Sequence, residues 1–114
     1  MATVLVVEDE FLIRAFIVSV LEEEGFRIVE ASNADEAISI LERREDIRLL
    51  FTDVDMPGSM DGLRLAEAVR LRWPPVEIIV TSGKRTPSVL PERAVFVAKP
   101  YQAPRLIETI NSML

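Results

Sequence analysis

The sequence predicts a single α/β domain, a doubly wound five-stranded parallel sheet with helices on both faces. Strand-like and helix-like patterns alternate along all 114 residues, the signature of a covered parallel sheet. Five short apolar or β-branched runs are stopped by charged or turn residues, as buried parallel strands are. Four of those runs end on polar side chains, and in open α/β sheets the carboxyl edge is where ligands bind.

Thr3 to Val7 is a β-branched run and makes strand one, ending at Glu8-Asp9-Glu10. Ile13, Phe16, Ile17, Val20 and Leu21 then fall on one helical stripe, with Gly25 as the C-terminal cap. Phe26 to Glu30 is a shorter second strand. Asn33 with Glu36 three positions on forms a capping box, and Ala34, Ala37, Ile38 and Leu41 face inward on helix two. Arg48 to Thr52 is strand three, and it delivers Asp53 onto a loop broken by Pro57, Gly58 and Gly62. Helix three runs from there to about Arg72, burying Leu65, Ala66 and Val69, and Pro74-Pro75 stops it. Val76 to Val80 is strand four, ending at Thr81-Ser82-Gly83, and Ala94 to Ala98 is strand five, ending at Lys99-Pro100. Pro104 suits the first turn of a last helix with Leu106, Ile107, Ile110 and Met113 inward. Between strands four and five, Pro87 and Pro91 leave room for at most about a turn of helix.

Composition narrows the chemistry. At this length the chain is one domain, residues 1–114, with no repeat, linker or low-complexity segment. Without cysteine there is no disulfide and no thiolate zinc site; without histidine the commonest general base and metal ligand is missing. A metal here must be held by oxygen, which favours magnesium, calcium or manganese. The net charge of −6 argues against direct nucleic-acid binding. Met1-Ala2-Thr3 leads straight into a strand, with no basic leader and no apolar stretch of spanning length, so a cytoplasmic protein away from the membrane is expected.

Right-handed crossovers keep the strands parallel and bring Glu8, Asp9, Asp53, Asp55, Thr81, Ser82 and Lys99 to one edge. Taken singly, each has an ordinary reading. Glu8-Asp9 suits the positive end of a helix dipole, and Asp53 and Asp55 are turn formers before Pro57. Thr81-Ser82-Gly83 is a common strand-to-loop turn, and Lys99 is an ordinary exposed lysine. Four such coincidences at one edge are harder to accept than one site. Two carboxylates about 4 Å apart repel by about 4 kcal/mol at an effective dielectric near 20, so three in one pocket call for a cation. Magnesium takes few carboxylates together with water and phosphate oxygens. Lys99 adds a point charge that can pair first with Asp53 and later with phosphate, and the Thr81 hydroxyl can donate to a phosphate oxygen. An aspartate can accept a phosphoryl group as an acyl phosphate, and in-line transfer needs chiefly positioning and charge neutralisation.

The motifs Leu5-Val6-Val7-Glu8-Asp9, Asp53-Val54-Asp55-Met56-Pro57 with Asp61-Gly62, Thr81-Ser82 and Lys99-Pro100 resemble, in order and spacing, the receiver domain of the response-regulator family of two-component signalling. The resemblance covers essentially the whole chain and implies a flavodoxin-like strand order 2-1-3-4-5. It implies Asp53 as phosphoacceptor, with Mg2+ held by Glu8, Asp9, Asp53 and the backbone carbonyl of Asp55, manganese or calcium being admissible in its place. It further implies Thr81, Ser82 and Lys99 as phosphate contacts and a cis peptide between Lys99 and Pro100. A switch pairing Thr81 with the aromatic Phe96 is implied too, beside the plain reading of Phe96 as a core residue. The implied donor is a histidine kinase or histidine phosphotransfer protein, with an unidentified downstream protein, and a homodimer stays open. Such a domain accepts phosphate, catalysing its own transfer and loss, and is not a turnover enzyme.

Two departures stand out. The loop from Pro57 to Gly62 is one residue longer than the commonest family form, and the fourth-helix region is short and proline-laden. A receiver subgroup with a Pro-rich fourth segment and a Lys-Pro-Tyr ending looks similar, giving Tyr101 an interface role. Alternatives from other classes remain at this stage. Asp53-Val54-Asp55 also fits an aspartyl-phosphate phosphohydrolase of the haloacid dehalogenase type, although Pro57 departs from that motif. A Toprim metal domain pairs a glutamate with a later Asp-x-Asp, but the acidic surface counts against it. A flavodoxin-like flavin binder would need a first loop that is not acidic.

Overall fold

The computed structural model describes residues 2–84 and 86–114. Five parallel strands, β1 (Thr3–Val7), β2 (Arg27–Ala31), β3 (Ile47–Asp53), β4 (Glu77–Ser82) and β5 (Val95–Ala98), form one sheet in the order β2-β1-β3-β4-β5. Four helices connect or follow them: α1 (Phe11–Glu23), α2 (Ala34–Arg43), α3 (Gly62–Arg72) and α4 (Ala103–Met113).

The period-two alternation of the strands divides the core between two faces. Leu5, Val7, Leu50, Ile78 and Val80 pack with Ala34, Ala37 and Leu41 of α2 and Leu65, Ala66 and Val69 of α3. Val4, Val6, Leu49, Phe51 and Ile79 point the other way, onto Ile17 and Leu21 of α1 and Leu106 and Ile110 of α4. Each fully buried Val, Leu, Ile or Phe among them contributes about 1.5–3 kcal/mol relative to exposure, so the central strands β1, β3 and β4 anchor the domain.

The helix ends follow local chemistry. Asn33 Oδ1 accepts from the Glu36 N–H at 2.8 Å, and the Glu36 carboxylate accepts from Ser32, one residue earlier than an ordinary capping box. Asp61 caps α3 through the Arg64 N–H at 3.0 Å. Gly25 has a φ of 96°, the left-handed conformation that ends α1. The long loop after β3 is tied down where Ser59 Oγ donates to Asp35 Oδ1 at 2.6 Å.

Three expectations need correction. Phe16 does not face the core; it is 57% exposed, because the stripe that meets the sheet is centred on Ile17 and Leu21 and Phe16 lies a quarter-turn off it. The shortened fourth helix between β4 and β5 is not formed among the described residues. Arg70 of α3 ties the far end of that connection to the segment before β4, donating to the carbonyls of Glu92 (2.8 Å) on the one and of Pro74 (2.8 Å) and Val76 (2.9 Å) on the other. Thr81 and Ser82 also belong to β4 itself and not to the loop beyond it.

Candidate functional site

All the polar strand ends meet at the carboxyl edge of the sheet. β1 runs out at Val7, and Glu8 turns back beneath the loop with only 2% of its surface exposed. Its carboxylate is oriented by two donors, the Glu10 N–H at 3.1 Å and Lys99 Nζ at 3.3 Å. Arg14 of α1 holds the same turn by donating to the Glu8 carbonyl at 2.7 Å while pairing with Glu30 at 3.0 Å. Asp9 lies exposed beside it.

Asp53 is the last residue of β3, paired in register with Thr81 of β4 and 6% exposed. α3 approaches it so closely that a Cβ on Gly62 would overlap the Asp53 carbonyl, which is why glycine stands there. Carboxylate oxygens of Glu8, Asp9 and Asp53 lie within 4.8 Å of one another. Asp9 and Asp53 border a cleft of about 590 Å3 that Asp55, Asp61, Lys84 and Lys99 also line. Three hard oxygen donors fit magnesium, calcium or manganese better than a softer metal.

Lys99 reaches in from the end of β5, its Nζ 3.2 Å from Asp53 Oδ1 and 3.3 Å from Glu8 Oε1. Only the pairing with Asp53 was expected from sequence; Glu8 shares it. The Lys99–Pro100 bond is cis. Burial raises the carboxyls of both Glu8 and Asp53 above the ordinary range, Lys99 only partly opposing it. Burial alone would lower the Lys99 ammonium, but Glu8 and Asp53 together carry it above its usual value.

Thr81 is fully buried, and its Oγ1 has no hydrogen-bond partner, a condition buried hydroxyls rarely keep. Ser82 differs, since its Oγ donates to Asp55 Oδ2 at 2.8 Å and accepts from the Lys84 N–H at 3.2 Å. The structure thus brings Glu8, Asp9, Asp53, Asp55, Thr81, Ser82 and Lys99 to one edge. Phe96 stands apart, opposite Val80 in register and half-buried against the core beneath α2 and α3. Tyr101 lies on the other face, its ring edge-on to Phe51 at 6.0 Å, and burial pushes its phenol upward. The sequence reading missed Arg14, whose role depends on a fold-back no local pattern announces, and the direction of the Ser82 hydroxyl.

A doubly wound parallel sheet of this order, with one acid-lined cleft at its carboxyl edge, defines the class. The chain belongs to the response regulator receiver domain family of two-component signalling, matching it over residues 4–111. It is 34% identical over 119 residues to the sensor kinase CckA of Brucella abortus, covering 99% of this chain and 12% of that protein. It is 32% identical over 110 residues to the nitrogen assimilation regulatory protein NtrX of Azorhizobium caulinodans, covering 91% of this chain and 24% of that one. The chain thus spans less than a quarter of the length of these curated relatives. Among solved structures, the response regulator TrrA of Thermotoga maritima in complex with Mg2+-BeF superposes with a TM-score of 0.91 at 29% identity, over 100% of both chains. Membership of this family sets aside the phosphohydrolase, Toprim and flavin-binder families. No helix among the described residues is long and apolar enough to cross a membrane.

Proposed function

We propose that this domain, residues 1–114, takes a phosphoryl group from a phosphohistidine onto Asp53. The observation that carries this reading is the convergence of the buried Asp53 carboxylate with Glu8, Asp9 and Lys99 at one cleft. An Asp53 carboxylate oxygen attacks phosphorus, the phosphorus–nitrogen bond breaks, and the departing imidazole nitrogen keeps the electron pair and takes a proton from solvent. Glu8, Asp9, Asp53 and the Asp55 carbonyl would hold Mg2+, which when bound neutralises charge gathering on the phosphoryl oxygens.

Lys99, already poised between Glu8 and Asp53, exchanges one carboxylate contact for a phosphoryl oxygen. Thr81 supplies the donor that its unpartnered hydroxyl can give. Ser82, the other expected phosphate contact, has its hydroxyl on Asp55 Oδ2. Arg14 keeps the Glu8 turn in place. Water later cleaves the acyl phosphate, so Asp53 is a reversible acceptor and not the centre of a turnover enzyme.

The phosphodonor is a histidine kinase or histidine phosphotransfer domain, and the similarity to part of a sensor kinase admits a donor within the same polypeptide. The added charge of about −2 on Asp53 biases the strand ends around Thr81 and is read by a downstream protein. The test is direct. Incubation with magnesium and acetyl phosphate, followed by intact mass, should show one hydroxylamine-sensitive phosphate that Asp53→Asn removes. An unmodified wild-type mass with the fold intact would sink the reading.

A further inference from the structure

Ser82 and Asp55 lie on different segments of the sheet's carboxyl edge, yet their side chains are joined. Ser82 closes β4 and is 2% exposed, and its Oγ donates to Asp55 Oδ2 at 2.8 Å. The same oxygen accepts from the Lys84 N–H at 3.2 Å, so both sides of the hydroxyl are used and its proton has a defined place. A neutral donor on a carboxylate is among the stronger hydrogen bonds, and burial of the donor shields it from water. The backbone runs in parallel here, the Val54 N–H donating to the Thr81 carbonyl at 2.9 Å.

The two ends of this bridge belong to different halves of the proposed site. Asp55 carries the carbonyl assigned to magnesium. Ser82 follows directly on Thr81, whose buried Oγ1 has no partner and is assigned to the phosphoryl group. Attraction of residue 55 toward the metal therefore acts on the end of β4, and capture of a phosphoryl oxygen by Thr81 acts back on residue 55. We propose that the Ser82–Asp55 hydrogen bond couples magnesium binding to phosphoryl capture, with Ser82 a positioning residue for both halves. This rests on the phosphoacceptor reading above. By linkage, each ligand then raises the affinity for the other by the same factor.

The experiment is isothermal titration of magnesium into the whole chain, with and without beryllofluoride, the ratio of the two affinities being the coupling. In Ser82→Ala and in Asp55→Ala that ratio should fall by about fivefold to tenfold, the net worth of one ordinary hydrogen bond, and fall no further in the double variant. Asp55→Asn keeps an acceptor oxygen and should retain most of the ratio, whatever it does to magnesium affinity itself. Thermal unfolding of each variant shows that the fold survives; Asp55, half-exposed, tolerates both changes. An unchanged ratio in Ser82→Ala, or a loss in Asp55→Asn as large as in Asp55→Ala, overturns the proposal while leaving the phosphoacceptor reading intact. Failure of the wild-type protein to take beryllofluoride with magnesium overturns both.

Discussion

Asp53 and Thr81, neighbours across β3 and β4, each carry a cost of burial, one a desolvated carboxylate and the other a hydroxyl without a partner. Burial raises the Asp53 and Glu8 carboxyls, so in the folded chain their ionised forms are the costly ones. Their contribution is therefore most favourable below the ordinary carboxylate range and is lost as pH rises through their raised folded values. Lys99, raised as well, has the same sign in a higher window: its contribution is present below the ordinary lysine range and is lost as pH rises through its raised folded value. Without divalent cation, Asp53→Asn should raise the melting temperature by a few degrees near neutral pH and leave it unchanged below about pH 4, as scanning calorimetry at two pH values would show. Thr81→Val removes an unpartnered buried hydroxyl while keeping shape. It should stabilise the free protein by about 1 kcal/mol in thermal unfolding yet weaken beryllofluoride binding about tenfold, because the hydroxyl's partner is missing only until the phosphoryl group arrives. Residue types at strand ends made Asp53, Asp9 and Lys99 legible in the sequence. The Ser82 hydroxyl's choice of Asp55 was not, since a rotor's partner depends on what lies across the cleft.

Between elements, close approach and pinning decide the geometry. Gly62 lets α3 begin against the end of β3, and Gly62→Ala should cost about 3 kcal/mol in denaturant unfolding, because the added methyl meets the Asp53 backbone and not a yielding side chain. Arg70 fastens residue 92, near the end of the β4–β5 connection, to residues 74 and 76 before β4. Arg70→Ala should lower stability by about 2 kcal/mol and speed amide exchange in the β4–β5 connection, measured by hydrogen exchange. The strands and four helices were legible from periodicity and turn residues, and their ends moved by a residue or two. The β4–β5 connection was legible only as a place where prolines forbid a full helix; that an arginine on α3 holds its far end was not.

At the scale of the molecule, an acidic chain gathers three carboxylates within 4.8 Å of one another and pairs two of them, Glu8 and Asp53, with the Lys99 ammonium. A divalent cation that binds only the folded state should stabilise it by about 2.7 kcal/mol at a hundred times its dissociation constant. Magnesium should accordingly raise the melting temperature, and Asp9→Asn, at an exposed position that does not disturb the core, should abolish most of that rise. By itself the sequence determined the layer architecture, the strand order that its family motifs imply, and which strand ends carry reactive side chains, because periodicity and turn chemistry are local properties. Only the tertiary structure decided that Lys99 is shared by Glu8 and Asp53, that Thr81 is left without a partner, and that Phe16 faces out. Those outcomes depend on distances between segments far apart in the chain, and such distances follow from packing.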